Sequence, residues 1–308
     1  MNIIKKALKV FSLDSAEDNY INNNPEKCVI LNQNEIKKLQ KCLLEMLNDF
    51  HGFCEENHLH YALTGGNVLG KVRHDGFIPW DDDVDVIMPR EDYDRLKQLF
   101  CGSKLSRNYS LRGPGCPDGA DYRCMKIYKN GTTMKPILSK KNGKNEIFID
   151  VMPADNVPDN KILAKLIGLR CNMLIAILGC CDFKQNANDI LRGEMKKTLL
   201  GRLNYYMRCF LGAIFLVVPL QKWYQKFDQA PVYKKYTKRV TVVNGKLLYD
   251  GEIVPREIYM PFHACEYEGV RTYMINNPKG YLRHRYGDYE VVPDENNRET
   301  HCVEELKI

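Results

Sequence analysis

Between residues 61 and 92 the chain reads YALTGGNVLGKVRHDGFIPWDDDVDVIMPRED, and this stretch holds most of its chemically suggestive side chains. On a strand, alternate side chains share a face, so Asp81, Asp83 and Asp85 would project together while Val84 and Val86 point into the core. Carboxylates this close repel one another strongly unless a cation neutralises them. Hard oxygen ligands of this kind suit Mg²⁺ or Mn²⁺. Just before them stand Thr64, Gly65 and Gly66. Glycines after a strand let a ligand approach the backbone, and their N–H groups can cradle phosphate oxygens. Lys71, Arg73 and His74 lie between the glycines and the aspartates and can neutralise further phosphate charge. A Gly-Gly pair alone is usually only a turn, and an acidic run alone is usually a solvated surface. DDDVD also does not follow the EF-hand pattern. Joined at this spacing, the pieces make up a kit for metal-assisted phosphoryl transfer.

A further carboxylate lies in residues 146–152, where Ile147, Ile149 and Val151 alternate with Phe148, Asp150 and Met152. An ionisable group in an otherwise apolar strand is rare unless paired or bound to metal. Asp150 can complete the metal site, take the proton of an acceptor hydroxyl, or serve as a salt-bridged structural residue.

The elements that must hold these residues follow from periodicity. Apolar residues recur at Ile36, Leu39, Leu43, Met46, Leu47, Phe50 and Phe53, in steps that define an amphipathic helix over residues 34–57. Residues 58–64 read as a strand running into the Gly-Gly turn, 67–74 as a short helix, 81–88 as a strand and 91–100 as a helix. Further strands are expected at 109–112, 122–128 and 146–152. This mixture with short connections points to an α/β or α+β sheet core. After Asp159 the pattern turns helical, over 161–227. From residue 192 to 239 there are eleven Lys/Arg and two acids, and CFLGAIFLVVPL at 209–220 is a twelve-residue apolar run. That length suits a buried helix or a segment dipping into one monolayer rather than a transmembrane span, and buried core is the favoured expectation. The chain therefore divides into an amphipathic segment and linker (1–33), a catalytic core (34–159), a helical basic and apolar insertion (160–240) and a C-terminal segment that completes the site (241–308).

Three blocks carry a resemblance: GGNVLGKVRHDGFIPWDDDVDVIMPREDY at 65–93, FIDVMPADNVPD at 148–159 and YLRHRYGDYEVVPDENNRETH at 281–301. Together they resemble the LicD family, phosphocholine transferases of bacterial surface glycans related to fukutin and the fukutin-related ribitol-phosphate transferases. The resemblance implies an α+β fold, with a nucleotidyltransferase-like mixed sheet flanked by helices. It implies Mg²⁺ on Asp83 and Asp85, with Asp81 as ligand or support, phosphates along Gly65 and Gly66, and the donor against Arg73 and His74. It also implies a CDP-activated donor (CDP-choline first, CDP-ribitol or a similar alditol behind it) and CMP release on transfer to a hydroxyl of a cell-surface glycan or its lipid-linked precursor. In the third block Arg298 and His301 can grip the pyrophosphate or cap the pocket, or they can fasten the chain end to the sheet. An aromatic cage would suit a quaternary ammonium; Trp80, Tyr122, Tyr128, Phe148, Tyr286 and Tyr289 are available for one. Two other readings stay open: an NTP-dependent nucleotidyltransferase, and a non-catalytic glycan- or nucleotide-binding relative.

Composition sets outer limits. The 308 residues suffice for a core without disulfide staples, and the net charge of +6 suits anionic partners without selecting one. Twelve cysteines without a C-x-x-C pair, several in apolar runs, read as small hydrophobes in a reducing compartment and argue against zinc. The expected location is cytoplasmic, with room for peripheral contact with an anionic membrane through amphipathic residues 1–13 or the helical insertion. No nucleic-acid motif is present, and nucleic acid is not expected as a partner.

Overall fold

The computed structural model describes residues 20, 24, 31–294 and 302–308. The first long helix, α1 (Gln33–Glu56), is started by a capping box. Asn32 Oδ1 accepts from the amides of Asn34 and Glu35, and the Glu35 carboxylate accepts from the Asn32 amide. Its apolar face buries Leu39, Leu43, Met46, Leu47 and Phe50 against the sheet. From the same helix Gln40 donates to the carbonyls of Ile78 and Asp81, so α1 also fixes the backbone that carries the acidic run.

Then follow β1 (Ala62–Leu63), α2 (Gly65–His74), β2 (Asp85–Pro89), α3 (Arg90–Phe100), β3 (Tyr109–Arg112), β4 (Met125–Lys129), β5 (Thr133–Pro136) and β6 (Phe148–Asn156). Four helices are inserted next, α4 (Lys161–Asn186), α5 (Asp189–Met195), α6 (Leu199–Phe215) and α7 (Leu220–Asp228). The chain returns through β7 (Arg239–Thr241), α8 (Leu248–Gly251), β8 (Val254–Pro255), α9 (Arg256–Tyr259), β9 (His263–Tyr267), β10 (Val270–Met274), α10 (Pro278–Tyr286) and β11 (Val303–Lys307). The main sheet runs in the order β3-β4-β6-β2-β1-β10-β9, with β7 and β8 attached to one end of β6. It is mixed: β2 with β6 and β1 with β10 are parallel, and the other pairs antiparallel. The fold is thus α+β, as expected.

Several local expectations are corrected. The strand expected at 58–64 shrinks to Ala62–Leu63, and residues 61–64 are all buried rather than alternating, because this strand lies inside the sheet with protein on both faces. The helix after it begins at Gly65, so the two glycines are its first turn and not a loop before it. The strand expected from residue 81 starts at Asp85, and residues 81–84 are irregular. The apolar run at 209–220 is core only in part: Gly212 and Leu220 are buried, and Phe215 and Leu216 lean on the core. Of α6, Asn204 and Gly212 are the buried residues, while Phe210 and Ile214 face outward. Ten described cysteines are free, but Cys302 is disulfide-bonded, which qualifies the reading of all twelve as small hydrophobes. Pairing between distant cysteines leaves no mark in their spacing. Residues 1–13, expected as an amphipathic helix, lie outside the described residues.

The insertion is tied to the sheet by a buried ion cluster. Arg90, the first residue of α3 just past β2, makes a bidentate pair with Asp155 of β6 (Nε–Oδ1 2.7 Å, Nη2–Oδ2 2.8 Å) and reaches Asp228 of α7 at 2.9 Å. Lys97 completes the cluster, 3.0 Å from the other oxygen of Asp228. Burial works against the Arg90 charge, but the two aspartates outweigh it and hold the guanidinium more firmly protonated than usual.

Candidate active site

The site forms where α2 leaves β1 and faces the start of β2. Thr64 is extended and donates its amide to the carbonyl of Asp85, and Gly65 then turns the chain at φ +59° into the helix. A Cβ on Gly65 would stand 2.6 Å from Asp85 Oδ2, and one on Gly66 would stand 3.1 Å from Asp81 Oδ2. Gly65 is therefore needed both for close approach and for its left-handed backbone, while a side chain at Gly66 would press on Asp81. The sequence suggested that their amides receive phosphate. In the structure the Gly65 amide already donates to Tyr281 Oη at 3.1 Å, and the Thr64 hydroxyl reaches the same oxygen at 3.3 Å.

Asn67, fully buried on α2, pins the acidic segment. Its Oδ1 accepts the Asp85 amide at 2.6 Å, and its Nδ2 donates to the Asp83 carbonyl at 3.1 Å. Held in this way, Asp81, Asp82 and Asp83 bring one carboxylate oxygen each within 4.8 Å of one another. Asp82 was not among the expected ligands, because strict alternation would have turned it to the other face.

Across the sheet Asp85 is in register with Asp150, and Asp150 with Lys126, so three ionisable groups stand side by side on β2, β6 and β4. Burial, then the charges of Asp83 and Asp150, push the Asp85 carboxyl well above the usual carboxylate range, against the pull of Lys126. Lys126 Nζ touches both oxygens of Asp150, at 2.9 and 3.1 Å, and the Cys124 thiol lies 3.8 Å from one of them. Burial opposes the Lys126 charge, yet Asp150 and its other neighbours raise its pKa. Its ammonium also sits 3.4 Å from the Phe148 ring centroid and 4.1 Å from that of Tyr122. Two of the aromatic residues available for a choline cage thus already cap a cation of the protein itself.

The cations expected beside the phosphates lie in the last turn of α2, at the other end from the glycines. Arg73 is about 12 Å along α2 from Gly65 at the helical rise per residue. Arg73 donates to the Tyr289 carbonyl and to His74 Nε2, and Lys71 pairs with Asp75. Burial, then Arg73, lower the pKa of His74, which leaves its imidazole neutral at pH 7. The third sequence block acts in its described part as a strap. Tyr281 holds the Gly65 turn, and the carbonyls of residues 289 and 291 hold Arg73. Arg298 and His301 lie outside the described residues. Sequence reasoning missed Asn67, Lys126 and Tyr281. Lys126 had a usable signal, since its strand alternation sets it opposite Ile127; Asn67 and Tyr281 gave none beyond their presence in the long blocks.

In this α+β domain a Gly-Gly helix start is set against clustered carboxylates, with a further carboxylate on the neighbouring parallel strand. Residues 58–166 match the family model for the LicD/FKTN/FKRP nucleotidyltransferase domain. Over 274 residues the chain is 26% identical to the lipopolysaccharide cholinephosphotransferase LicD of Haemophilus influenzae, spanning 89% of this chain and 98% of that protein. A shorter match, 33% identical over 87 residues, joins 26% of this chain to a third (33%) of an uncharacterized protein of Rickettsia prowazekii.

Proposed function

We propose that this chain is a metal-dependent transferase that moves phosphocholine from CDP-choline to a hydroxyl of a cell-surface glycan or its lipid-linked precursor, releasing CMP. The observation that carries the reading is the carboxylate cluster at the Gly65–Gly66 helix start, in a chain alignable over nearly its whole length with a lipopolysaccharide cholinephosphotransferase. The residues present fit a divalent cation. Asp81 and Asp85 are hard oxygen donors set against Gly66 and Gly65, Asp83 stands beside Asp81, and burial and mutual repulsion already disfavour the charge on Asp85. Bound there, Mg²⁺ or Mn²⁺ would polarise the diphosphate as a Lewis acid.

The chain's own residues supply the rest. The positive end of α2 favours a phosphate near Gly66. The acceptor oxygen bonds to the choline-bearing phosphorus, the bond from that phosphorus to the bridging oxygen breaks, and its electron pair leaves with CMP. Asp150 would take the hydroxyl proton, for which one of its two contacts with Lys126 must open. The ten free cysteines described suit a reducing compartment, and the cytoplasm is the location proposed for the reaction.

The test is nucleotide release from CDP-choline, CDP-ribitol, CDP-glycerol, CTP and ATP, with Mg²⁺ and a mixed glycan acceptor. CMP from CDP-choline is expected, reduced at least ~100-fold in Asp83→Ala, the scale of losing one preorganised electrostatic contributor. CMP from another CDP donor would change the head group. Pyrophosphate from CTP or ATP would replace the reading with nucleotidyl transfer.

A further inference from the structure

The helices between β6 and β7 leave apolar surface that the carboxylate site does not use. The inner face of α4, with Ala164, Cys171, Leu174 and Leu178, is buried against Tyr224, Phe227 and Tyr249. On the opposite face Ile162, Leu166, Leu169 and Met173 follow at steps of three and four, and Cys180 and Phe183 continue the same stripe. α6 packs on that continuation: Gly212 lies against the Cys180 carbonyl, and the Tyr205 ring meets Phe183 edge-on at 5.8 Å. The N-terminal part of the stripe stays open, with Ile162 74%, Leu166 57%, Leu169 65% and Met173 56% exposed. α6 turns Asn204, Arg208 and Gly212 towards α4. On its far side it exposes Leu199 (78%), Leu203 (62%), Tyr206 (62%) and Phe210 (67%), with Val217 (86%) just beyond its end. Because α6 rides on the face whose extension is the open stripe of α4, both stripes look out on the same side.

Exposed apolar surface on this scale marks an interaction site, and its charge selects the partner. Neither stripe contains an acid, and Lys161, Lys165, Arg170, Lys196 and Arg202 are exposed on the same helices and the segment joining them. The three acids in residues 161–227, Asp182, Asp189 and Glu194, are each paired with a lysine. A second copy would set one basic rim against another, whereas anionic headgroups neutralise it. Among the described residues α4 is the one helix long and apolar enough to span a bilayer, but its inner face is core, so it lies along the surface. We propose that α4 and α6 form a docking face for an anionic lipid monolayer, with the stripes among the acyl chains and the lysines and arginines at the phosphates. The same helices line a groove of about 390 Å³ with Tyr122, Lys140 and Tyr224, and Tyr122 caps the lysine that holds Asp150. Docking would therefore bring lipid-borne molecules beside the carboxylates, whichever group is transferred there.

The test is co-sedimentation of the full chain with vesicles of phosphatidylcholine alone and with added phosphatidylglycerol. Binding is expected with phosphatidylglycerol and should weaken as salt rises. Leu166→Asp/Phe210→Asp should bind at least ~10-fold more weakly, from the lost burial of two large apolar side chains. Its melting temperature and Mg²⁺-induced thermal shift should match wild type, which separates docking from folding and from the transfer reaction. Lys165→Glu/Arg202→Glu should lose the preference for phosphatidylglycerol. Failure of wild type to sediment, or undiminished binding by the Asp pair, overturns the proposal. So does binding abolished by deleting residues 1–13 alone. Concentration-dependent dimers in sedimentation velocity that the Asp pair dissolves would reassign the face to self-association.

Discussion

At the scale of single residues, Gly65 carries two constraints that substitution can separate. An alanine there meets Asp85 Oδ2 and must also adopt φ +59°, a backbone strain of about 1–2 kcal/mol. Gly102 has φ +80° and open space within 4 Å of where a Cβ would stand, so Gly102→Ala carries the backbone strain alone. Both variants should lower the melting temperature by a few degrees. Only Gly65→Ala should lower kcat/KM, by about 100-fold, because it displaces a carboxylate of the site. Equal activities would mean that close approach at Gly65 is unimportant. Asp83→Asn tests the crowding of charge. Without divalent metal it removes one of several repelling carboxylates, so its stability should equal or exceed that of wild type. Wild type should gain about 2.7 kcal/mol at a hundredfold excess of Mg²⁺ over its dissociation constant, and the variant little. Thermal melts with EDTA and with Mg²⁺ read both effects, and a wild-type melt indifferent to Mg²⁺ and Mn²⁺ would sink the metal assignment.

Among the elements, β2 and β6 do the most positioning, and they do it at both ends. At their starts Asp85 faces Asp150; at their far ends Arg90 and Asp155 clamp α7 through Asp228. Removing one partner leaves buried charge uncompensated, so Arg90→Met should cost about 3–5 kcal/mol in urea unfolding. A cost under about 1 kcal/mol would mean that water replaces the guanidinium. The difference between ends also explains what could be read from sequence. The alternation of Ile147, Ile149 and Val151 against Asp150 was legible because β6 is a regular strand with one apolar face. Alternation failed at residues 81–84 because Gln40 and Asn67, from two different helices, take the backbone groups a strand would have paired. Those contacts span up to 41 residues and have no periodic signature. Likewise the twelve-residue apolar run at 209–220 is helical only as far as Phe215 and buried only in part, since hydropathy measures what a helix could bury, not what covers it.

The whole molecule closes its site with chain far outside the matched domain. β1, two residues long, is held between β2 and β10, and the Gly65 turn hangs on Tyr281, 216 positions along the chain. The cluster that packs under α2 combines Val68 and Leu69 with Val240, Tyr259, Met274 and Leu282. A fragment of residues 31–166 would keep Asp81, Asp83, Asp85 and Asp150, yet it would turn β1 into an exposed edge, leave the Gly65 amide without Tyr281 and open that cluster to water. It would also lose Asp228, leaving Arg90 and Asp155 without their third partner. We expect this fragment to show no cooperative urea transition and no Mg²⁺-dependent shift, while the full chain shows both. Adding residues 234–308 in trans should restore little, because Val157, Val243 and Tyr249 pack on α4 and α7, and neither piece contains those helices intact. A fragment that unfolds cooperatively and responds to Mg²⁺ would show instead that the carboxylate site is local, and that the C-terminal strap serves the acceptor rather than the fold.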